Sequence, residues 1–296
     1  MINKKIAILG GGITGLTAAY YASQKGYNTT LFEKSHTLGG LAQGFKENHW
    51  EWPLERAYHH LFKNDSGIIN FAQEVGFNDI YFSTPKTDSL YKVDNNYRIF
   101  PVDSPQDFLR FPLLNMRQKI QAAAILGGLK ILPALKLYEE QTAEEYVKAY
   151  MGKRVWEVFF EQLFRKKFGK YAKNVLASFL WARIHKRTRE LGYIKGGFQS
   201  FVDYLEGVIA RNGVVVLKGV DVDSITQRSG GFLVNNEEHD YIISTLPTPI
   251  MTKLGKDLFP KDYIEGLTKL SYLHALVLIL ETSQPILDST YWLNIG

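Results

Sequence analysis

The stretch Lys4 to Ala42, KKIAILGGGITGLTAAYYASQKGYNTTLFEKSHTLGGLA, constrains the chain most, because few backbones accept glycines at that spacing. It opens on the apolar run Ile6-Ala7-Ile8-Leu9, the pattern of a strand buried on both faces. Gly10-Gly11-Gly12-Ile13-Thr14-Gly15 follows and fits G-x-G-x-x-G. A helical segment with Leu16, Ala19 and Tyr20 at turn spacing runs to Gly26, and a β-rich run, Tyr27 to Phe32, then delivers Glu33. Strand, glycine turn, helix, strand and acid in that order make a phosphate-binding unit. Gly10 permits the tight turn, Gly12 lets backbone approach a pyrophosphate, and Gly15 lets helix lie close on strand. The amino end of the helix, opened by Ile13 and Thr14, faces the anion with its dipole. Glu33 stands 33 − 10 = 23 positions after the first glycine, where a carboxylate accepts hydrogen bonds from a ribose.

Lys34 then leads to a second glycine pair in Leu38-Gly39-Gly40-Leu41-Ala42, which a plain NAD domain does not need. Here the sequence resembles the FAD-dependent superfamily of protoporphyrinogen oxidases, amine oxidases and phytoene desaturases. The resemblance implies that Gly39, Gly40, Leu41 and Ala42 form a second backbone approach, to the flavin side of FAD. Many members carry Arg or Lys after the glycine pair, where this chain has Leu41. The block from Gly196-Gly197 through the strand Tyr241 to Leu246 also resembles the superfamily. Relatives touch the adenine through the backbone of a loop valine, and Val222 is the matching position; Thr245 joins the same set. The segment Tyr58 to Arg187 resembles more narrowly the bacterial protoporphyrinogen-oxidase-like branch, in Tyr58-His59-His60-Leu61-Phe62, Lys167-Phe168-Gly169 and Trp181-Ala182-Arg183-Ile184.

The expected fold is α/β: a Rossmann-like FAD/NAD(P)-binding domain with an inserted α+β substrate domain rich in helix. The expected boundaries are 1–48 and 195–248 for the cofactor domain, and 49–194 and 249–296 for the substrate domain. Tyr91 to Phe100 reads as a hairpin turning at Asn95-Asn96. Ser104-Pro105 and Thr142-Ala-Glu-Glu145 read as helix starts. Val214 to Leu217 reads as a buried strand, Val220 to Asn236 as a hairpin around Ser229-Gly230-Gly231, and Tyr272 to Leu280 as a strand of the substrate sheet.

Composition narrows the chemistry. The chain has 296 residues and no cysteine, which excludes disulfides, zinc thiolates, cysteinyl flavin and cysteine catalysis. That suits the cytoplasm, with peripheral contact at the inner membrane face as the alternative. Lys4-Lys5 before an apolar stretch imitates a signal peptide, but cleavage there would destroy the glycine motif. No stretch is long and uncharged enough to span a bilayer. A net charge of +5 without interleaved aromatic residues argues against nucleic acid.

Candidates for chemistry lie outside the glycine motif. Adjacent His59 and His60 point to opposite faces of an extended segment, with no acidic cluster beside them, so no metal site is expected. Each is either a polar contact to flavin or substrate or a structural histidine. Amine-oxidase relatives hold a lysine near the flavin N5 through a water, and Lys167 is the candidate on that resemblance. Arg165, Lys166, Lys167, Lys170, Lys173, Arg183, Lys186, Arg187 and Arg189 form either a solvated face, a site for an anionic or amphipathic small molecule, or a patch facing anionic lipid. Met116 to Tyr138 has the composition of an interfacial helix or of a helix lining a substrate cavity.

The resemblance implies hydride removal from a C–N or C–C bond by flavin. A non-redox flavoenzyme resembling UDP-galactopyranose mutase and a non-catalytic binding module are the alternatives. Superfamily members usually return to the cofactor domain with a late glycine-acid segment, which is not found here. The expectation is weak flavin binding and apolar surface around Leu276, Leu278 and Leu280, inviting self-association.

Overall fold

The computed structural model describes residues 4–133 and 135–295. The chain forms two compact units: Met1–Leu61, Asp65–Tyr81 and Gly192–Leu278 in one, and Phe62–Asn64, Phe82–Leu191 and Ile279–Gly296 in the other.

The first unit is built on a parallel sheet of four strands. Strand β1 (Lys5–Leu9) lies between β2 (Asn28–Glu33) and Tyr241–Ser244, and Val215–Lys218 flanks β2. Helix α1 (Ile13–Gln24) and the helix Gly197–Arg211 bury Leu16, Ala19, Phe201, Val202, Leu205 and Ile209 with Ile8 and Leu31 of the sheet. Ala7, Leu9 and Phe32 pack into a second core with Val222, Ile225 and Val234. The sheet is thus covered on both sides, as parallel sheets require. Val215 is half-exposed, because the expected buried strand is the edge of the sheet and starts one residue later.

Three antiparallel strands, Ile225–Arg228, Gly231–Val234 and Glu237–His239, form the meander. Its second turn places Asn235 and Asn236 at φ +46° and +71°, the left-handed pair of a tight two-residue hairpin. His239 is buried there, edge-on to Phe32 at 5.9 Å, and neither ring nitrogen has a hydrogen-bond partner among the described residues. Burial pushes its pKa below the ordinary value, and Lys5 adds to this; Glu237 and Asp240 pull the other way. Below the usual imidazole pKa of about 6.5 the unfolded chain therefore binds the proton the folded chain refuses. We expect the melting temperature to fall as pH drops from 7 towards 5, and His239→Leu to flatten that dependence. Parallel pH–melting curves for both proteins would refute this.

The first unit takes in more than the expected 1–48 and 195–248. Helix Ser66–Glu74 buries Phe71 and Ala72 in the same core as Leu16 and Phe201, joined by Phe77. Met251, Leu254 and Leu258, on and after helix Thr248–Leu254, pack on the Leu9 and Phe32 side. Apolar surface on these flanking segments, rather than their place in the chain, sets the boundary.

The second unit carries the hairpin Thr87–Val93 and Asn96–Pro101, with Trp292–Ile295 parallel to its first strand. The turn is Asp94-Asn95, both at positive φ, one residue earlier than Asn95-Asn96, since Val93 pairs with Asn96. Its helices include Pro105–Arg110, Met116–Ile131, Ala143–Tyr150, Glu161–Phe168 and Ala177–Lys186. Ser104 and Thr142 cap as expected, each through a reciprocal box with Asp107 and Glu145 respectively. Pro133 follows the end of Met116–Ile131, and Leu135–Glu139 resumes as a separate turn of helix. Phe111, Leu129, Val147, Met151, Trp156 and Leu180 form the core. Tyr272 to Leu280 is not a strand: it has no ladder partner among the described residues.

Candidate cofactor site

The glycine turn is fixed from several sides. Gly10, at φ +100°, donates its N–H to the Phe32 carbonyl at 2.9 Å. The Thr245 hydroxyl donates towards the Leu9 and Gly10 carbonyls, at 2.9 and 3.2 Å, and the Thr245 N–H donates to Leu9. Thr245 therefore holds the turn. A Cβ on Gly15 would lie 1.9 Å from the Gly10 carbonyl oxygen, so only glycine lets α1 sit on β1. No side chain caps α1 at Gly12, which leaves its amino end to an outside anion.

Glu33 closes the other side. Its carboxylate accepts from the Gly11 N–H at 2.7 Å and the Ser35 N–H at 2.8 Å. Each oxygen thus accepts one backbone bond and retains capacity for a ribose hydroxyl. Glu33→Ala would leave both N–H groups without that acceptor and remove the carboxylate expected to accept from a ribose. We expect it to weaken FAD binding by about 1–3 kcal/mol, read by calorimetry; unchanged affinity would place the ribose elsewhere.

The second glycine pair meets the first. The Gly39 N–H donates to the Gly11 carbonyl at 2.9 Å, and Gly39 and Gly40 take φ +123° and +58°. A Cβ on Gly12 would meet Gly39 O and Gly40 Cα at 3.8 Å, ordinary contact. The protein itself does not demand glycine at position 12; the space beside it is what a bound pyrophosphate needs. Ala42 is buried below this loop and Leu38 beside it, whereas Lys34 and Leu41 face outward, Leu41 at 90% exposure. Thr14 is exposed on the first turn of α1, and Ile13 packs against the core.

Two polar residues that shape the site carry no motif signal. Gln199 is buried: its amide oxygen accepts from the Gly44 N–H at 3.0 Å, and its amide nitrogen donates to Asp203 at 2.7 Å. It ties the loop after Gly39-Gly40 to helix Gly197–Arg211. Asn235 donates to the Asp221 carbonyl at 2.7 Å and accepts from the Asp223 N–H at 3.0 Å. Those bonds pin the residues on both sides of Val222, whose side chain is buried beneath the loop. A glutamine beside Gly196-Gly197 and an asparagine in a turn were the available signals.

The expected catalytic residues are divided between the two units. His59 packs on Phe198 with ring centroids 5.5 Å apart, and His60 stacks on Tyr58 at 6.3 Å; both belong to the first unit. Lys167 belongs to the second, with Nζ 5.3 Å from the Phe179 ring centre. Burial, then Arg183, holds its pKa below the ordinary lysine value. No group of three or more His, Cys, Asp or Glu side chains that could hold a metal occurs among the described residues.

The sequence matches the family described as flavin containing amine oxidoreductase over residues 13–294. The chain belongs to that family. It is 28% identical to the 4,4'-diapolycopen-4-al dehydrogenase of Metabacillus indicus, across 79% of this chain and 53% of that protein. It is 23% identical to the coproporphyrinogen III oxidase of Staphylococcus aureus, across 86% of this chain and 63% of that protein. The chain therefore spans less than two thirds of either relative. The fold matches that of cyclohexylamine oxidase from Brevibacterium oxydans, with a TM-score of 0.65 at 14% identity over 90% of this chain and 63% of that one. The cofactor of this flavoprotein family is FAD, and the residues here fit it. Gly12 leaves room for a pyrophosphate, α1 presents an uncapped end, and Glu33 keeps acceptor capacity for a ribose.

Proposed function

We propose that this chain is the cofactor-holding and substrate-facing part of an FAD-dependent oxidoreductase that oxidises a C–N or C–C bond of a small organic molecule. The observation that carries this reading is the double glycine cradle closed by Glu33. When bound, FAD supplies the hydride acceptor. The chain's own contribution is to bind and orient. Gly10 to Gly15 and Glu33 hold the dinucleotide, and Gln199 keeps the Gly39-Gly40 loop in place. Val222 offers its backbone to the adenine. Lys167 and Arg183 attract an anionic or amphipathic substrate, and the lowered pKa of Lys167 suits it to hold a water for proton transfer. His59 and His60 serve as polar contacts rather than metal ligands.

The relatives named for coproporphyrinogen III and for a polyene aldehyde suggest probes of those two classes. The test is an anaerobic absorption spectrum of the FAD-loaded protein with each probe. Bleaching of the flavin band supports the oxidoreductase. A flavin that binds but is never bleached by any substrate, with activity only after prior reduction, supports a mutase-like non-redox enzyme instead. Failure to bind flavin at all leaves a non-catalytic module.

One surface favours peripheral contact with the inner face of a membrane. Met116, Ile120, Ala123, Gly127 and Ile131 are exposed at helical spacing on Met116–Ile131, continued by Leu132, Leu135 and Leu137. Residues 116–138 contain Arg117, Lys119, Lys130 and Lys136 and no acid, the composition of an interfacial helix. Among the described residues no helix is long and apolar enough to cross a membrane. Ile120→Asp with Ile131→Asp should abolish sedimentation with anionic vesicles; equal sedimentation would remove the membrane from the reading.

A further inference from the structure

The parallel strands of the first unit run in the order Val215–Lys218, β2, β1, Tyr241–Ser244, so their carboxyl ends lie side by side at one end of the sheet. Ligands of open parallel sheets lie outside those ends. The glycine turn follows β1, and Glu33 closes β2, one strand spacing of about 4.8 Å further on. A dinucleotide with its pyrophosphate at the first and its ribose at the second carries its base on towards the end of Val215–Lys218.

That end is tied to the loop after Glu33. The Val220 N–H donates to the Glu33 carbonyl and the Gly219 N–H to the Ser35 carbonyl, each at 3.0 Å. His36 then lies against Gly219, which sits at φ +72°. A Cβ on Gly219 would stand 2.6 Å from His36 Cε1 and 2.9 Å from its Nδ1. Glycine at 219 is thus what admits the imidazole, and main chain backs the ring from behind. All of these contacts are made within the first unit, by residues 33–36 and 219–220.

We propose that His36 stacks its imidazole on the adenine of the dinucleotide and is held in place for this by Gly219, an assignment that rests on the FAD-binding reading of the cradle. The strand order brings the base to the end of Val215–Lys218, and His36 is the aromatic side chain seated there. A ring already fixed by its neighbours loses little freedom when a flat base lands on it.

Calorimetry on the full chain separates the base from the rest of the ligand. His36→Ala should weaken ADP and FAD by at least about fivefold, the lower end of what one base–aromatic stack contributes. Inorganic pyrophosphate and ribose 5-phosphate, which lack the base, should bind as before. Gly219→Ala should weaken ADP as well, because its methyl group takes the space of the imidazole. In the double variant the two losses should not add, since both act on one ring. Equal losses for ADP, pyrophosphate and ribose 5-phosphate would make His36 a support of the Glu33 loop alone and overturn the proposal. Additive losses in the double variant would overturn it too. FAD and ADP bound as before by His36→Ala would overturn it while leaving the FAD reading intact; an unmodified chain that binds none of these ligands would overturn both.

Discussion

Gly15→Ala is expected to destabilise the first unit strongly. The new methyl carbon would stand 1.9 Å from the Gly10 carbonyl oxygen, 3.0 Å from its carbon and 3.2 Å from Thr245 Oγ1. The first contact is with backbone, which cannot rotate aside. Restoring an ordinary separation of 3.4 Å means parting α1 from the turn by 3.4 − 1.9 = 1.5 Å. That movement would break the bonds from Gly10 N–H to Phe32 and from the Thr245 hydroxyl to Gly10. Overpacking that forces backbone shifts costs about 3 kcal/mol, the upper end of the usual range, against a total stability of about 5–15 kcal/mol for a domain. Thermal melting should show the loss with or without FAD. A stable Gly15→Ala protein would mean that helix and strand are not so close.

Gly12→Val is expected to do the opposite, sparing the fold and removing the cofactor. A Cβ there meets only ordinary contacts at 3.8 Å, from Gly39 O and Gly40 Cα. The stability change should stay within about 1 kcal/mol, the scale of a helix N-cap substitution. The side chain nevertheless enters the space a pyrophosphate must occupy. FAD affinity should drop by at least about a hundredfold, equivalent to roughly 2.7 kcal/mol, measured by calorimetry on protein of near-normal melting temperature. Unchanged affinity would show that the nucleotide does not pass Gly12. The two glycines sit three residues apart in one motif and are expected to answer to different demands: Gly15 to packing, Gly12 to the ligand.

The sequence made the first of those demands visible, because strand, glycines and helix follow one another within a local pattern. The acid Glu33 that closes on Gly11, the second glycine pair and the capping boxes at Ser104 and Thr142 were legible for the same reason. What stayed hidden depends on residues far apart in the chain. Gln199 reaches Gly44 across 155 positions, and nothing near Gln199 says that a loop carbonyl and N–H await it. Glu55 likewise accepts from the Phe198 N–H at 2.6 Å, across 143 positions. Val215 looked buried because its neighbours are apolar, yet among the described residues no strand lies on its outer side. The strand expected at Tyr272 to Leu280 has the right composition, and composition alone cannot supply a neighbour to pair with.

The discontinuous sheet also sets a calendar for synthesis. Strand β1 pairs Ile6 with Tyr241, a separation of 241 − 6 = 235 residues. Until that late strand leaves the ribosome, the sheet has at most β1, β2 and Val215–Lys218, with one side of β1 open, and such long-range pairings form slowly. The helical segments Phe82–Leu191 of the second unit are complete well before then. They can settle while the glycine turn still lacks Thr245, the residue that holds it. A glycine turn finished by Thr245 is therefore completed only after residues 82–191 have been made.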